Sequence, residues 1–469
     1  MKKAYIFILV TLISCSGAFA QQNLRSGYFL DGYTYRYKLN PAFHSDNAFI
    51  AIPVIGNFGV NAESSLSLSN LLYPVNGRVV TFMHPSVSSS EALKGLRSDN
   101  VIGAGADLGI LSAGFISGGA FHTIDFSLKA DVASNLPKEL FAFAKNGADN
   151  GRASYDISGL GADADARLEL AYGYSRDIKE NIHVGARVKV LAGLMNAKVS
   201  MDRMKMDLSG EKWTVSSEGE MVTSGMMSFK TKGEAGTADD ASQDSQMSFE
   251  PDFGGGFSSF GAAVDLGVSW DFCDYLTLSA SVLDLGFMSW GNRVVARTPK
   301  SSWEFSGFDN IGADDGPSLS DQFDDMIDDL VDMVNFRQES KGGSSFESLA
   351  MTACVGLEAR MPFYDKMTIG LLGTRRFNGD YSWTEGRLSA NLRPIDWLSL
   401  TCGYGLSNYG SSLGLALNFI FPRLTFSLGT DSILSYMRVT PQFIPVNRLD
   451  TGISFSFCFN LGTKDKNQD

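Results

Sequence analysis

Four histidines, His44, His84, His122 and His183, are the scarcest side chains here that could do chemistry. None belongs to an HExxH pair, and no GxSxG stretch sets a serine on a nucleophile elbow, so zinc-hydrolase and serine-hydrolase chemistry lack their motifs. Gly254-Gly255-Gly256 is not followed by GKS or GKT, so no phosphate cradle is written there. Those glycines suit a bend where a long insert re-enters a wall. Cys273, Cys354, Cys402 and Cys458 form no CxxC pair, and neither a zinc site nor a disulfide framework is signalled. The Asp run from Asp321 to Asp332 follows helical spacing, which does not converge on a calcium cage. No catalytic residue, cofactor or metal ligand is assigned.

More informative are charges that recur at every second position. Arg167 and Glu169 alternate with Leu168, Leu170, Tyr172 and Tyr174. His183, Arg187 and Lys189 alternate with Ile182, Val184, Ala186, Val188 and Val190. A period of two is that of a strand with one polar and one apolar face. In a closed barrel, Arg167, Glu169, Arg187 and Lys189 would project into the lumen, either pairing to brace the wall or lining a polar path. Bracing is the preferred reading, and His183 reads as an ordinary lumen-facing polar residue.

The elements that must carry these side chains repeat to the end of the chain. The same alternation runs through Val264 to Trp270, Leu276 to Val282, Ala353 to Met361, Leu413 to Phe421 and Ile453 to Leu461. Connections tend to alternate in length. Short turns are expected at Asp177 to Asn181, Asp271 to Tyr275, Pro362 to Lys366, Pro394 to Asp396 and Pro422-Arg423, and long external loops at 201–248 and 284–346. A sandwich has no reason to sort its loops by parity, whereas an outer-membrane barrel does.

The fold class is therefore all-β: a transmembrane antiparallel barrel of about 14 strands over residues 58–461, with short helices in its external loops. An N-terminal luminal or periplasmic segment, 21–57, serves as a plug, and Phe49 to Ile55 is kept out of the wall to preserve an even strand count; the opposite assignment stays open. Helices are expected at Pro137 to Lys145, capped by Ser134 or Asn135, and at Leu319 to Phe336. Residues 462–469 form a polar tail. Trp270, Trp290, Trp383 and Trp397, near strand ends, are expected to form interfacial belts.

Composition agrees. With 44% hydrophobic and 19% charged residues the chain is neither disordered nor collagen-like. Its mean hydropathy is -0.02, and no apolar run of about 18 residues follows the N-terminus, which argues against a bundle of membrane helices. The net charge of -13 excludes a nucleic-acid partner. Met1 to Ala20 reads as a signal peptide with Ala18-Phe19-Ala20 at its cleavage site, while Leu12-Ile13-Ser14-Cys15 offers a lipoprotein route instead.

The stretch from Ser26 to Phe43 and the hairpin from Gly261 to Trp290 resemble an uncharacterised family of exported Gram-negative barrel proteins, a domain of unknown function. Asn40-Pro41-Ala42, Leu170 to Ser175 and Val184 to Lys189 resemble, more distantly, the long-chain fatty-acid transporter (FadL-type) superfamily. That resemblance implies fourteen strands, a luminal hatch containing Asn40, Pro41 and Ala42, and passage of hydrophobic molecules. The long polar insert and acidic helix depart from the transporters and put a fatty-acid substrate in doubt. The expected function is passive transport or transfer of a small, partly hydrophobic molecule across the cell outer membrane. The alternative is a non-transporting scaffold that binds a protein or polysaccharide through its external loops. Outer-membrane lipid is the expected surrounding, an enzyme is not expected, and the oligomeric state stays open.

Overall fold

Each alternating stretch pairs with its sequence neighbours, and the last pairs with the first. The computed structural model describes residues 24–45, 47–51, 56–147, 154–208, 212–226, 228–231, 247–252, 256–298, 302–305, 336–433 and 448–461. Met1 to Ala20, the helix expected at Leu319 to Phe336 and the tail 462–469 fall wholly or almost wholly outside them.

The wall has 14 strands. The first, β1, is in two pieces, Phe49–Ala51 and Asn57–Ser67; β2 is Asp99–Ser117, β3 Ala120–Pro137, β4 Leu160–Lys179 and β5 Ile182–Asp207. Next come β6 Ser259–Cys273, β7 Leu276–Gly291, β8 Met351–Arg360, β9 Met367–Phe377 and β10 Trp383–Ile395. The circuit ends with β11 Leu398–Ser407, β12 Ser411–Ile420, β13 Leu424–Thr430 and β14 Arg448–Asn460. Every neighbouring pair is antiparallel, and both pieces of β1 pair with β14 on one side and β2 on the other. Closure leaves no open edge, the condition for strands to stand in hydrocarbon.

Phe49–Ala51 thus belongs to the wall, which corrects the placement of all of 21–57 in the plug. Parity survives because the two pieces count as one strand. Ala51 faces Cys458 and Asn57 faces Ser456, so on β14 the partners of the two pieces are separated by a single residue, Phe457. β2 carries a register shift between Gly109 and Leu111 at the same level.

One rim carries the tight turns. β2 and β3 meet through Gly118 and Gly119, both at positive φ as a two-residue hairpin turn requires. Residues 180–181, 274–275, 361–366, 396–397 and 421–423 make the other turns of this rim, as expected from sequence. The long connections lie on the opposite rim.

There the expected loops are partly strand. β5 continues to Asp207 and pairs with Trp213–Gly225, so the first part of 201–248 is a hairpin rising above the wall. β7 likewise runs past Asp284 to Gly291, and its upper half pairs with Ser344–Ser348, which shortens the loop expected over 284–346 at both ends. The helix is Lys138–Asn146, with Pro137 at its N-cap and Gly147 closing it; Ser134 and Asn135 remain in β3.

The wall is inside-out relative to a soluble sheet. Val188 is 56% exposed on the outer face, while its neighbour Lys189, pointing inward, is 2% exposed. Leu170, Val190, Val355, Leu388 and Ile453 repeat that outward exposure around the circuit. Trp270 and Trp397 face outward near the short-turn rim, Trp397 stacked on Phe421 at 6.1 Å, as an interfacial belt requires. Trp290 and Trp383 do not join them: both are buried and face inward. Strand parity, not proximity to a strand end, sets that direction.

Candidate functional site

The lumen is occupied by the chain's own N-terminal part. Residues 24–45 make two short 3-10 turns, Arg25–Gly27 and Thr34–Lys38, and drive Tyr28, Phe29, Leu30, Tyr33, Tyr35, Tyr37 and Leu39 into one buried cluster. The cluster reaches wall residues Phe49, Phe121, Leu372 and Cys458. Edge-on ring contacts tie it together, Tyr28 with Phe29 at 4.8 Å and Tyr28 with Phe43 at 5.1 Å. Burial of so many rings seats the segment in the lumen.

Inward-facing wall glycines leave the space. A Cβ at Gly370 would stand 2.3 Å from the Phe29 ring, and one at Gly185 2.0 Å from the Pro41 carbonyl oxygen. Asn40, Pro41 and Ala42, the expected plug residues, do sit in the lumen. The Asn40 amide donates to Tyr28 Oη at 3.2 Å and to the Val268 and Ala280 carbonyls, while its Oδ1 accepts the Ala42 N–H at 3.0 Å.

Buried charges brace the wall around the plug. Arg187 pairs with Asp125 and Asp265, each at 3.0 Å, and Lys189 with Asp265 at 2.8 Å and Asp284 at 2.6 Å. Glu169 forms ion pairs with Lys129 at 3.0 Å and Lys189 at 3.7 Å. Arg167 stands apart, with Asp165 and Asp131; Arg376 completes that second group. The sequence-predicted Glu169, Arg187 and Lys189 therefore share one network, and Arg167 another. His183 lies on the same strand face at the short-turn rim, between Asp177 and Asp271 and beside His44. Three donors of the kind that hold metal ions, from His44, Asp177 and His183, converge there within 4.8 Å.

A third group fastens the plug. Arg25 contacts Glu63 at 2.7 Å and Glu385 at 2.8 Å, and lies 4.8 Å above the Trp383 ring. Asp431 accepts the backbone N–H of Arg25 at 2.8 Å and both the N–H and hydroxyl of Ser26 at 2.7 Å. Burial raises the Asp431 carboxyl, but the Arg387 and Arg25 guanidiniums outweigh it and hold it below its ordinary value. Burial alone dominates at Tyr28, whose hydroxyl is pushed up to about 12. Sequence reasoning missed Arg25, Asp125, Asp265, Glu385 and Arg387. The signal was present in the period-two charges Asp125, Lys129 and Asp131, and Glu385 and Arg387.

Two cavities lie within the barrel, one toward each rim. Toward the long loops, about 110 Å³ lies among Val101, Trp290, Leu349, Tyr381, Trp383 and Tyr409, with Glu63, Asp131, Asp163, Asp165 and Glu347 outnumbering Arg167, Lys198 and Arg376. Toward the short turns, about 370 Å³ is lined by Phe29, Asp31 and Arg36 of the plug and by Tyr275, Glu358, Arg360 and Arg393 of the wall. The first has aromatic faces with a surplus of carboxylates; the second is mostly polar.

A closed fourteen-stranded barrel carrying a luminal N-terminal plug is the class of protein that this fold defines. Residues 41–431 match the model of a family of unknown function, DUF5723, and the chain belongs to that family. No curated protein matches it. Among solved structures, it is similar to the Ralstonia pickettii toluene transporter TbuX, at 8% identity over 92% of this chain and 94% of that one, with a TM-score of 0.41. The Pseudomonas putida toluene transporter TodX is similar at 9% identity, over 96% and 97% of the two chains, TM-score 0.41. A Pseudomonas aeruginosa FadL homologue is similar at 10% identity, over 96% and 100%, TM-score 0.40.

Proposed function

We propose that this chain is an outer-membrane barrel that passes a small, partly hydrophobic molecule by a passive route, with residues 24–45 as the movable closure. The supporting observation is how the lumen is filled. A segment seated by hydrogen bonds, ion pairs and ring contacts lines the lower cavity through Phe29, Asp31 and Arg36 and touches Glu63 and Trp383 of the upper one through Arg25, so a shift of that segment would open the lumen without breaking the wall. The upper cavity has the character of a first binding place. Its volume approaches that of the engineered cavity of about 150 Å³ that takes benzene, and its carboxylate surplus suits a ligand with a polar or cationic end. No catalytic role is assigned.

The test is uptake into liposomes by the purified barrel. A reversible cross-link between Ser26→Cys and Gly414→Cys, in a chain with Cys273, Cys354, Cys402 and Cys458 replaced by alanine, holds the plug to β12; a Cβ at Gly414 would stand 2.1 Å from Ser26 Oγ. Uptake of small aromatic amines is expected to stop when the bond forms and to return on reduction. Equal uptake in both states contradicts the reading.

A further inference from the structure

We propose that His44, Asp177 and His183 form a binding site for a divalent transition metal, zinc being the best match, which clips the plug to the short-turn rim. Sequence places these residues far apart and gives them no common role. The fold joins them because Pro41 and Ala42 rest against Gly185, two residues along β5 from His183 on the same face. Phe43, packed on Tyr28 and lying 4.3 Å beneath the Arg36 guanidinium, fixes the backbone that presents His44. Asp177 faces His183 across the β4–β5 ladder.

One donor atom from each residue lies within 4.8 Å of the others. Around a tetrahedral zinc with bonds of about 2.0–2.2 Å, donors stand about 3.4 Å apart. His44 and Asp177 are exposed and His183 is partly so; an adjustment of about an ångström in such side chains closes that gap. Two imidazoles with one carboxylate favour zinc, copper or nickel over magnesium or calcium, which prefer all-oxygen shells. The fourth position is open to water.

An independent feature is the support behind His183. Its Nδ1 faces Asp177, and its Nε2 lies 3.3 Å from Asp271 Oδ2. Asp271 is held in turn by the Thr277 hydroxyl at 2.6 Å. A carboxylate on the far nitrogen of a ligating histidine fixes its tautomer and ring orientation. Asp271 is thus a positioning residue for Nδ1 coordination. The bound ion would join the plug to two wall strands, so plug release would require metal loss.

Zinc titration of the tag-free mature protein in detergent at neutral pH, read with a competing chromophoric chelator, tests this. One zinc per chain is expected. His44→Ala and His183→Ala should each weaken binding by at least about 100-fold, and Asp271→Asn by about 10-fold with stoichiometry kept. His84→Ala and His122→Ala should leave it unchanged. Heat-modifiable migration on gels verifies that each variant is folded, and His44→Gln replaces any alanine variant that is not. Absence of stoichiometric zinc, or equal affinity in folded His44→Ala or His44→Gln protein, overturns the proposal. Neither outcome depends on whether the barrel transports anything.

Discussion

The Asp431 carboxylate accepts the backbone N–H of Ser26 at 2.7 Å, and through it a loop after β13 holds the start of the plug. The same carboxylate takes the Arg25 N–H and faces its guanidinium. Asp431→Asn removes a charge-assisted contact, and such contacts contribute about 1.5–3 kcal/mol. Loosening of the plug is expected while the barrel stays folded, read as faster tryptic cleavage after Arg25 with unchanged heat-modifiable migration.

Acid should act in the same place. Because the folded-state value of Asp431 is depressed, its contribution is complete above the ordinary carboxylate value and is lost as pH falls through the lowered one. Cleavage of the plug by pepsin is expected to rise steeply at the acid end of that window in the wild type. In Asp431→Asn the step should be smaller, since the titrating group is gone.

Arg187 is 3% exposed and neutralises two carboxylates, Asp125 and Asp265. Removing one member of a buried set leaves uncompensated charge, at a cost of about 3–5 kcal/mol. Arg187→Met should lower the urea midpoint of unfolding from detergent by a corresponding amount. Adding Asp125→Asn should recover part of the loss, since one carboxylate then no longer needs a partner.

Position 185 separates plug docking from wall stability. Gly185→Ala puts a methyl group against the Pro41 carbonyl without changing β-strand pairing. Single-channel recordings should show more frequent openings, with thermal stability of the barrel little altered.

The outer face makes a contrasting prediction. Val188 is 56% exposed on a strand whose alternate residues are buried. Val188→Arg puts a charge toward lipid, costing about 2–4 kcal/mol near the bilayer midplane. Folding into lipid vesicles should be impaired in that variant and unaffected in Val188→Leu.

Strand alternation was legible because a wall one residue thick requires opposite characters on its faces. Arg167, Glu169, Arg187 and Lys189 could be placed inside from that period alone, and the tight turns followed from Pro, Asn and Asp between apolar runs. What stayed hidden depends on contacts distant in sequence. Arg25 meets Glu63 and Asp431, 38 and 406 residues away, and a period carries no information about such pairing. Phe49–Ala51 is three residues long, too short for a repeat to appear, and its membership of the wall is set by partners on β2 and β14. His44 was silent for the same reason, since its neighbours come from β4 and β5.

We propose that a separable N-terminal segment, not the wall, closes this barrel. Conductance in planar bilayers of a chain in which residues 21–47 are deleted measures that most directly. Large, stable openings absent from the full-length protein are the predicted result. A folded barrel with the same closed conductance as the full-length chain would contradict it.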